Sequence, residues 1–211
     1  MIRASSALPV LLLALLAQPV AAAPKQPKQK GPSLERLVQG KPYAQDVARL
    51  FASLPADVFR RCPALVSGDA SMTVIKPATF DAKGQPSGGA WKQGFPVSGC
   101  GNDTIINLYF TVQPGGHIMG MVGVPGDTHA DPLLQRDAVR DLVGAVKAQN
   151  AACVDPHVRH THYDGVAEPK GSWRETWTVS GCGKTYTVPL TFTPGAMGTQ
   201  IAASGGSVTT P

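Results

Sequence analysis

The sequence contains no Cys-x-x-Cys pair, so a zinc knuckle or a thioredoxin-like redox pair has no residues to build on. There is no Gly-x-Ser-x-Gly elbow, and no histidine and carboxylate recur in a fixed order beside its serines. That removes the usual route to a serine nucleophile. Basic residues are nowhere interleaved with aromatics in a stripe, which argues against a nucleic-acid surface. Beyond the first two dozen residues, no apolar run approaches the ~20 residues needed to cross a bilayer. Charged residues are only 16% of the chain and aromatics 6%. No catalytic or cofactor-binding residue set emerges, and the expectation is a protein that is not an enzyme.

What is present begins with an address. Arg3 precedes an apolar stretch at 8–16, Gln18-Pro19 breaks it, and Val20, Ala21, Ala22 and Ala23 supply small residues for cleavage. This is the pattern of a secretory signal peptide, assigned to 1–23, with cleavage after Ala22 or Ala23. The apolar stretch holds no cysteine, so a lipid-anchored N-terminus is not expected. The implied location is the periplasm or the exterior. Residues 24–41, with Lys25, Lys28 and Lys30 among proline and glutamine, read as a flexible linker. Two units follow, at 42–128 and 129–211. With 23 glycines and 19 prolines among 211 residues, short elements joined by many turns are expected.

The division into units rests on self-similarity. Gly-Ala-Trp-Lys-Gln-Gly-Phe-Pro-Val-Ser-Gly-Cys-Gly at 89–101 matches Gly-Ser-Trp-Arg-Glu-Thr-Trp-Thr-Val-Ser-Gly-Cys-Gly at 171–183. The offset of 82 continues without a gap, aligning Leu108 with Leu190 and Phe110 with Phe192. Within each copy the apolar period is two, which predicts a hairpin. Trp91, Gln93, Phe95 and Val97 share one face of the first, and Trp173, Glu175, Trp177 and Val179 share one face of the second. Pro96 and Pro189 cannot donate to a ladder, so one strand of each hairpin is expected at a sheet edge. Further strands are expected at 71–75, 117–122, 158–163 and 199–203.

A helix is expected before each hairpin. Asp131-Pro132 forms an N-cap and first-turn pair ahead of Leu134, Val139, Leu142, Val143 and Val146. The first unit offers Val47, Leu50, Phe51 and Leu54, with Pro55 breaking the helix. Four cysteines in an oxidising compartment imply two disulfides. Of three possible connectivities, Cys62–Cys100 with Cys153–Cys182 pins each helix to its own hairpin turn in the same way twice. The expected fold class is therefore α+β. It comprises two pseudo-repeats, each a helix followed by a small, mostly antiparallel β-meander held by a disulfide.

The string Trp-Arg-Glu-Thr-Trp-Thr-Val-Ser-Gly-Cys-Gly at 173–183, followed by a strand ending in Phe192, resembles a Trp-x-Glu-x-Trp-x-Val-x-x-Cys-Gly pattern of uncharacterised exported bacterial proteins. The first copy departs from it at Gln93 and Phe95. The resemblance covers about thirty residues per copy. It implies a periplasmic address and a β-rich unit, and it carries no activity with it.

Two residue clusters suggest chemistry. His160 and His162, near His157 and Asp164, would share a strand face and could hold copper or zinc. Straight-strand alternation puts His157 on the opposite face, so a three-histidine site needs a bend. His117, Met119 and Met121 alternate along a second predicted strand and would suit copper. The plainer readings are exposed histidines on a β-surface and methionines filling the core. Ser98 and Ser180 read as turn residues, and the three tryptophans as core. Three functions follow in order. The first is a non-enzymatic envelope module binding a protein, peptide or polymer, with no cofactor. The second is a copper- or zinc-handling protein, and the third a hydrolase with an unrecognised site.

Overall fold

Three helices and ten strands are found among the described residues. The computed structural model describes residues 31–54, 66–99, 103–153, 156–204 and 206–209. α1 (Leu34–Val38) and α2 (Lys41–Ala52) come first, followed by β1 (Val66–Ser67), β2 (Ser71–Phe80), β3 (Pro86–Ser98), β4 (Thr104–Val112) and β5 (Ile118–Val122). Next are α3 (Pro132–Gln149), β6 (His157–Ala167), β7 (Ser172–Gly181), β8 (Lys184–Gly195), β9 (Gly198–Ala203) and β10 (Ser207–Thr209). The strands form two antiparallel five-stranded sheets. In the first, β3 and β4 lie between β1 and β2 on one side and β5 on the other. In the second, β7 and β8 lie between β6 on one side and β9 and β10 on the other. Both sheets belong to one compact unit, Pro32–Pro211. This is an α+β arrangement.

The central hairpins keep the same register at an offset of 82. Trp91 faces Phe110 and Gln93 faces Leu108 across β3 and β4. Trp173 faces Phe192 and Glu175 faces Leu190 across β7 and β8. Their inward faces are covered by helices. Trp91, Ile106, Leu108 and Phe110 are buried with Tyr43 and Leu34. Trp177, Val179, Leu190 and Phe192 are buried with Ala138, Leu142 and Val146 of α3. The aromatic rings supply much of the apolar burial in both layers: Trp91 stacks on Phe110 at 5.7 Å and Trp173 on Phe192 at 4.9 Å.

α3 begins as its sequence dictates. Asp131 caps it by accepting from the backbone N–H of Leu133 and Leu134, and Pro132 takes the first turn, where no donor is needed. Its far end is tied to the second sheet by a disulfide between Cys153 and Cys182, with 5.5 Å between the Cα atoms. Cys182 and Gly183 form the two-residue turn from β7 to β8, with φ of 54° and 71°. Two consecutive positive φ values match the strand twist of a tight hairpin. Cys62 and Cys100, the other expected pair, lie outside the described residues.

Three sequence expectations are corrected. The stretch 24–41 was expected to be a flexible linker, yet its described part contains α1, where Leu34 is buried and Leu37 and Val38 pack beside it. Apolar residues at i, i+3 and i+4 give even this five-residue helix a face to bury. Pro96 and Pro189 do not mark edge strands. β3 is flanked by β4 and by β1 and β2, and β8 by β7 and by β9 and β10. Pro96 falls where β1 pairing (Val97) gives way to β2 pairing (Gly94), and Pro189 falls between β9 pairing (Leu190) and β10 pairing (Thr187). A missing donor is harmless at such a gap, and each proline still accepts a bond through its carbonyl, from Gly68 and from Ser204. Finally, His157 does not oppose His160 and His162. A bulge between Val158 and His160 resets the alternation, so the three pair with Ser180, Thr178 and Thr176 on one face.

Candidate functional site

Each hairpin face carries a polar group among its aromatics, and the two hairpins satisfy it differently. In the first, the Trp91 indole N–H donates to the Tyr43 hydroxyl at 3.0 Å, and Tyr43 donates to Gln93 Oε1 at 2.8 Å. Burial pushes the Tyr43 phenol up to about 12; the bond from Trp91 opposes that rise, and Asp46 adds to it. In the second, Glu175 is fully buried and its carboxylate accepts four bonds. Trp173 Nε1 and the His129 backbone N–H donate to one oxygen, both at 2.8 Å. Trp177 Nε1 and Thr128 Oγ1 donate to the other, both at 2.7 Å. The first hairpin has Phe95 where the second has Trp177, and its polar acceptor is the Gln93 amide, which accepts one bond where Glu175 accepts four.

The raised Tyr43 pKa links folding to pH in the alkaline range. A free tyrosine titrates near 10, so between about pH 10 and 12 the folded protein holds a proton that the unfolded chain releases. The stability this contributes is complete below pH 10 and is lost as pH rises through that window. From pH 9 to 11.5 the loss is about 2 kcal/mol. Denaturant titrations at these two pH values should show the native chain losing that much more than Tyr43→Phe. Equal losses would contradict the assignment.

Thr128 and His129 belong to a connector, residues 123–131, that threads between the sheets. On one side Gly123 N–H donates to Asn107 O and Gly126 N–H to Ile105 O, both at 2.8 Å, continuing the edge of the first sheet along β4. The buried Asn107 side chain donates to Val124 O at 2.9 Å and to Gly126 O at 2.8 Å. On the other side Thr161 of β6 donates through its hydroxyl to Pro125 O at 2.8 Å and accepts from Asp127 N–H at 3.1 Å. Gln135, buried in the first turn of α3, closes the junction. Its amide donates to Tyr109 Oη and Ala130 O, and its carbonyl accepts from Val124 N–H. Burial raises the Tyr109 pKa against the opposing effect of that Gln135 bond.

Beside this junction lies a half-open groove of about 640 Å³. The start of α3 (Pro132, Leu133, Val139) forms one wall, and Met121, Val122 and Val124 form another. Leu54, Pro156 and Val158 complete an apolar lining, with Gln135, Arg136 and His157 as its polar members. Leu133 and Met121 stand exposed at 59% and 43%. The size falls in the range of small-ligand sites, and so does the mainly apolar lining. Spacing did not reveal this site, because its walls come from elements distant in sequence. Gln135, a polar residue on the core-facing side of α3, was the available clue.

Of the five candidate metal ligands, Met121 lines the groove and the other four do not. His160 Nδ1 shares a 2.9 Å hydrogen bond with Thr104 Oγ1, linking the two sheets. His162 lies 3.5 Å from Asp127 and 3.9 Å from Asp164 on the surface. His117 is exposed before β5, and Met119 (54% exposed) and Met121 do not fill the core as the plainer reading expected. They pair with Thr111 and Tyr109, so they occupy the face of β5 opposite the one that Ile118 and Val122 turn to the helices. Among the described residues, no three His, Cys, Asp or Glu side chains are grouped to hold a metal ion. No described helix is long and apolar enough to cross a membrane. Comparison with known proteins gives no match: neither a family model, nor a curated protein, nor a solved structure resembles the chain.

Proposed function

We propose that this protein is a non-enzymatic binding module of the bacterial envelope, arisen by duplication of a helix-and-meander unit, and that its partner seats in the groove beside α3. The groove is the observation that carries the reading. An apolar concavity of this volume, rimmed by exposed Leu133 and Met121, is what a binding site presents. Support for the address comes from the leader-like first 23 residues and from a disulfide suited to an oxidising compartment. The shared hairpin register at an offset of 82 supports duplication.

The test is a saturable site. An uncharged dye that fluoresces in apolar surroundings should bind at one equivalent, and Leu133→Glu should abolish that binding with the circular dichroism spectrum unchanged. Leu133 is exposed, so the substitution leaves the core intact. Dye fluorescence that rises without saturating, or that ignores Leu133→Glu, would sink the proposal.

A further inference from the structure

The polar groups of the groove narrow its occupant. Gln135 is its buried polar side chain, and both ends of that amide are engaged, by Tyr109, Ala130 and Val124. The connector wall is equally closed. Gly123 N–H donates to Asn107 O, Val124 O accepts from the Asn107 side chain, and Pro125 O accepts from Thr161. Proline has no N–H to offer. A sugar, or the backbone of an extended peptide, would bring donors and acceptors into this space. Along the Gln135 and connector walls it would lose their water without finding partners, an unfavourable exchange that Arg136 and His157 could offset only at their own positions. A hydrocarbon loses nothing there and buries its surface against leucine, valine and proline.

Charge then addresses the other end of the ligand. Among the described residues, Arg136 is the charged residue lining the groove, and no Asp or Glu lines it. The Arg136 guanidinium is 71% exposed, and its neighbour Asp137 is 3.5 Å away, shared with Arg140 at 3.6 Å. Arg136 therefore holds only part of one carboxylate and keeps donors facing water at the groove.

On the reading that the groove is the binding site, we infer that it takes one acyl chain of a monomeric anionic amphiphile, with the carboxylate head at Arg136. The chain lies along the apolar walls and the head stays in water. The source is a single molecule rather than a bilayer, because the apolar surface is concave and of one-ligand volume, not a broad exposed face.

The experiment uses the full mature chain and two probes, a 16-carbon saturated carboxylate and the matching 16-carbon alcohol, each below its aggregation concentration. Displacement of the apolar dye reports binding. The expected result is that the carboxylate binds about fivefold tighter than the alcohol, the effect of one exposed ion pair, and that Arg136→Gln removes the difference. Equal affinities in the native chain would overturn the assignment of the head while leaving an apolar site standing. Failure of both probes to displace a dye that does bind would overturn the acyl-chain assignment. Failure of the dye itself to bind would remove the site. Uptake of the carboxylate only when it is embedded in vesicles would overturn the monomeric source.

Discussion

Replacing Gly126 by alanine should cost the protein roughly 3–5 kcal/mol, a large share of the stability of an ordinary domain. Gly126 has φ of 111°, a conformation that residues with a side chain rarely adopt. It also lies directly against β6: an added Cβ would meet the Thr161 carbonyl oxygen and stand 2.5 Å from the Thr161 nitrogen. Neither atom can move aside, since both are backbone within a paired strand. The connector would have to leave Thr161, Asn107 or both, and the two sheets would separate there. Denaturant titration gives the magnitude. A loss below about 1 kcal/mol would mean that the connector is not wedged between the sheets.

The second large effect belongs to Glu175. Glu175→Ala removes the acceptor for four donors at once: two indoles, the Thr128 hydroxyl and the His129 amide. It also leaves a void beneath two tryptophans. Unsatisfied buried donors are costly to strand, and the expected loss is about 3–5 kcal/mol. Glu175→Gln keeps the volume but turns one acceptor into a donor facing donors. It should cost less than alanine and still be clearly destabilising. Gln93→Ala in the first sheet should cost about 1 kcal/mol, because the Gln93 amide accepts a single bond, from Tyr43. The contrast between the two sites is the sharper test. Equal losses at Gln93 and Glu175 would mean that the four-donor arrangement does not form.

The sequence made some of this legible and hid the rest, for identifiable reasons. Both hairpins were readable because alternation of apolar and polar residues fixes a strand's two faces, and Trp91, Trp177, Phe110 and Phe192 are buried as that pattern requires. The start of α3 was readable because Asp131-Pro132 acts within one turn. The bonds of Glu175 were not readable, since two of its four donors come from residues 128 and 129, more than forty positions away. The connector was not readable, because Gly-Val-Pro-Gly-Asp has turn composition whether it lies in water or between sheets. Asn107 and Gln135 carried the only hint, as polar residues on a strand and a helix that both turn out to be buried. The histidine strand shows the limit of periodicity: one extra residue near Arg159 reversed the expected face of His157. Gap positions likewise relieved Pro96 and Pro189 of the edge placement that a continuous ladder would have imposed.

Methionine methyl resonances offer the most direct test of the groove as the binding site. Met121 lines it, whereas Met72, Met119 and Met197 are exposed elsewhere and serve as controls within the same molecule. On titration with the 16-carbon carboxylate, the Met121 methyl signal should shift and saturate at one equivalent while the other three stay in place. A spectrum in which Met121 is unmoved, or in which all four shift together without saturation, would contradict the account.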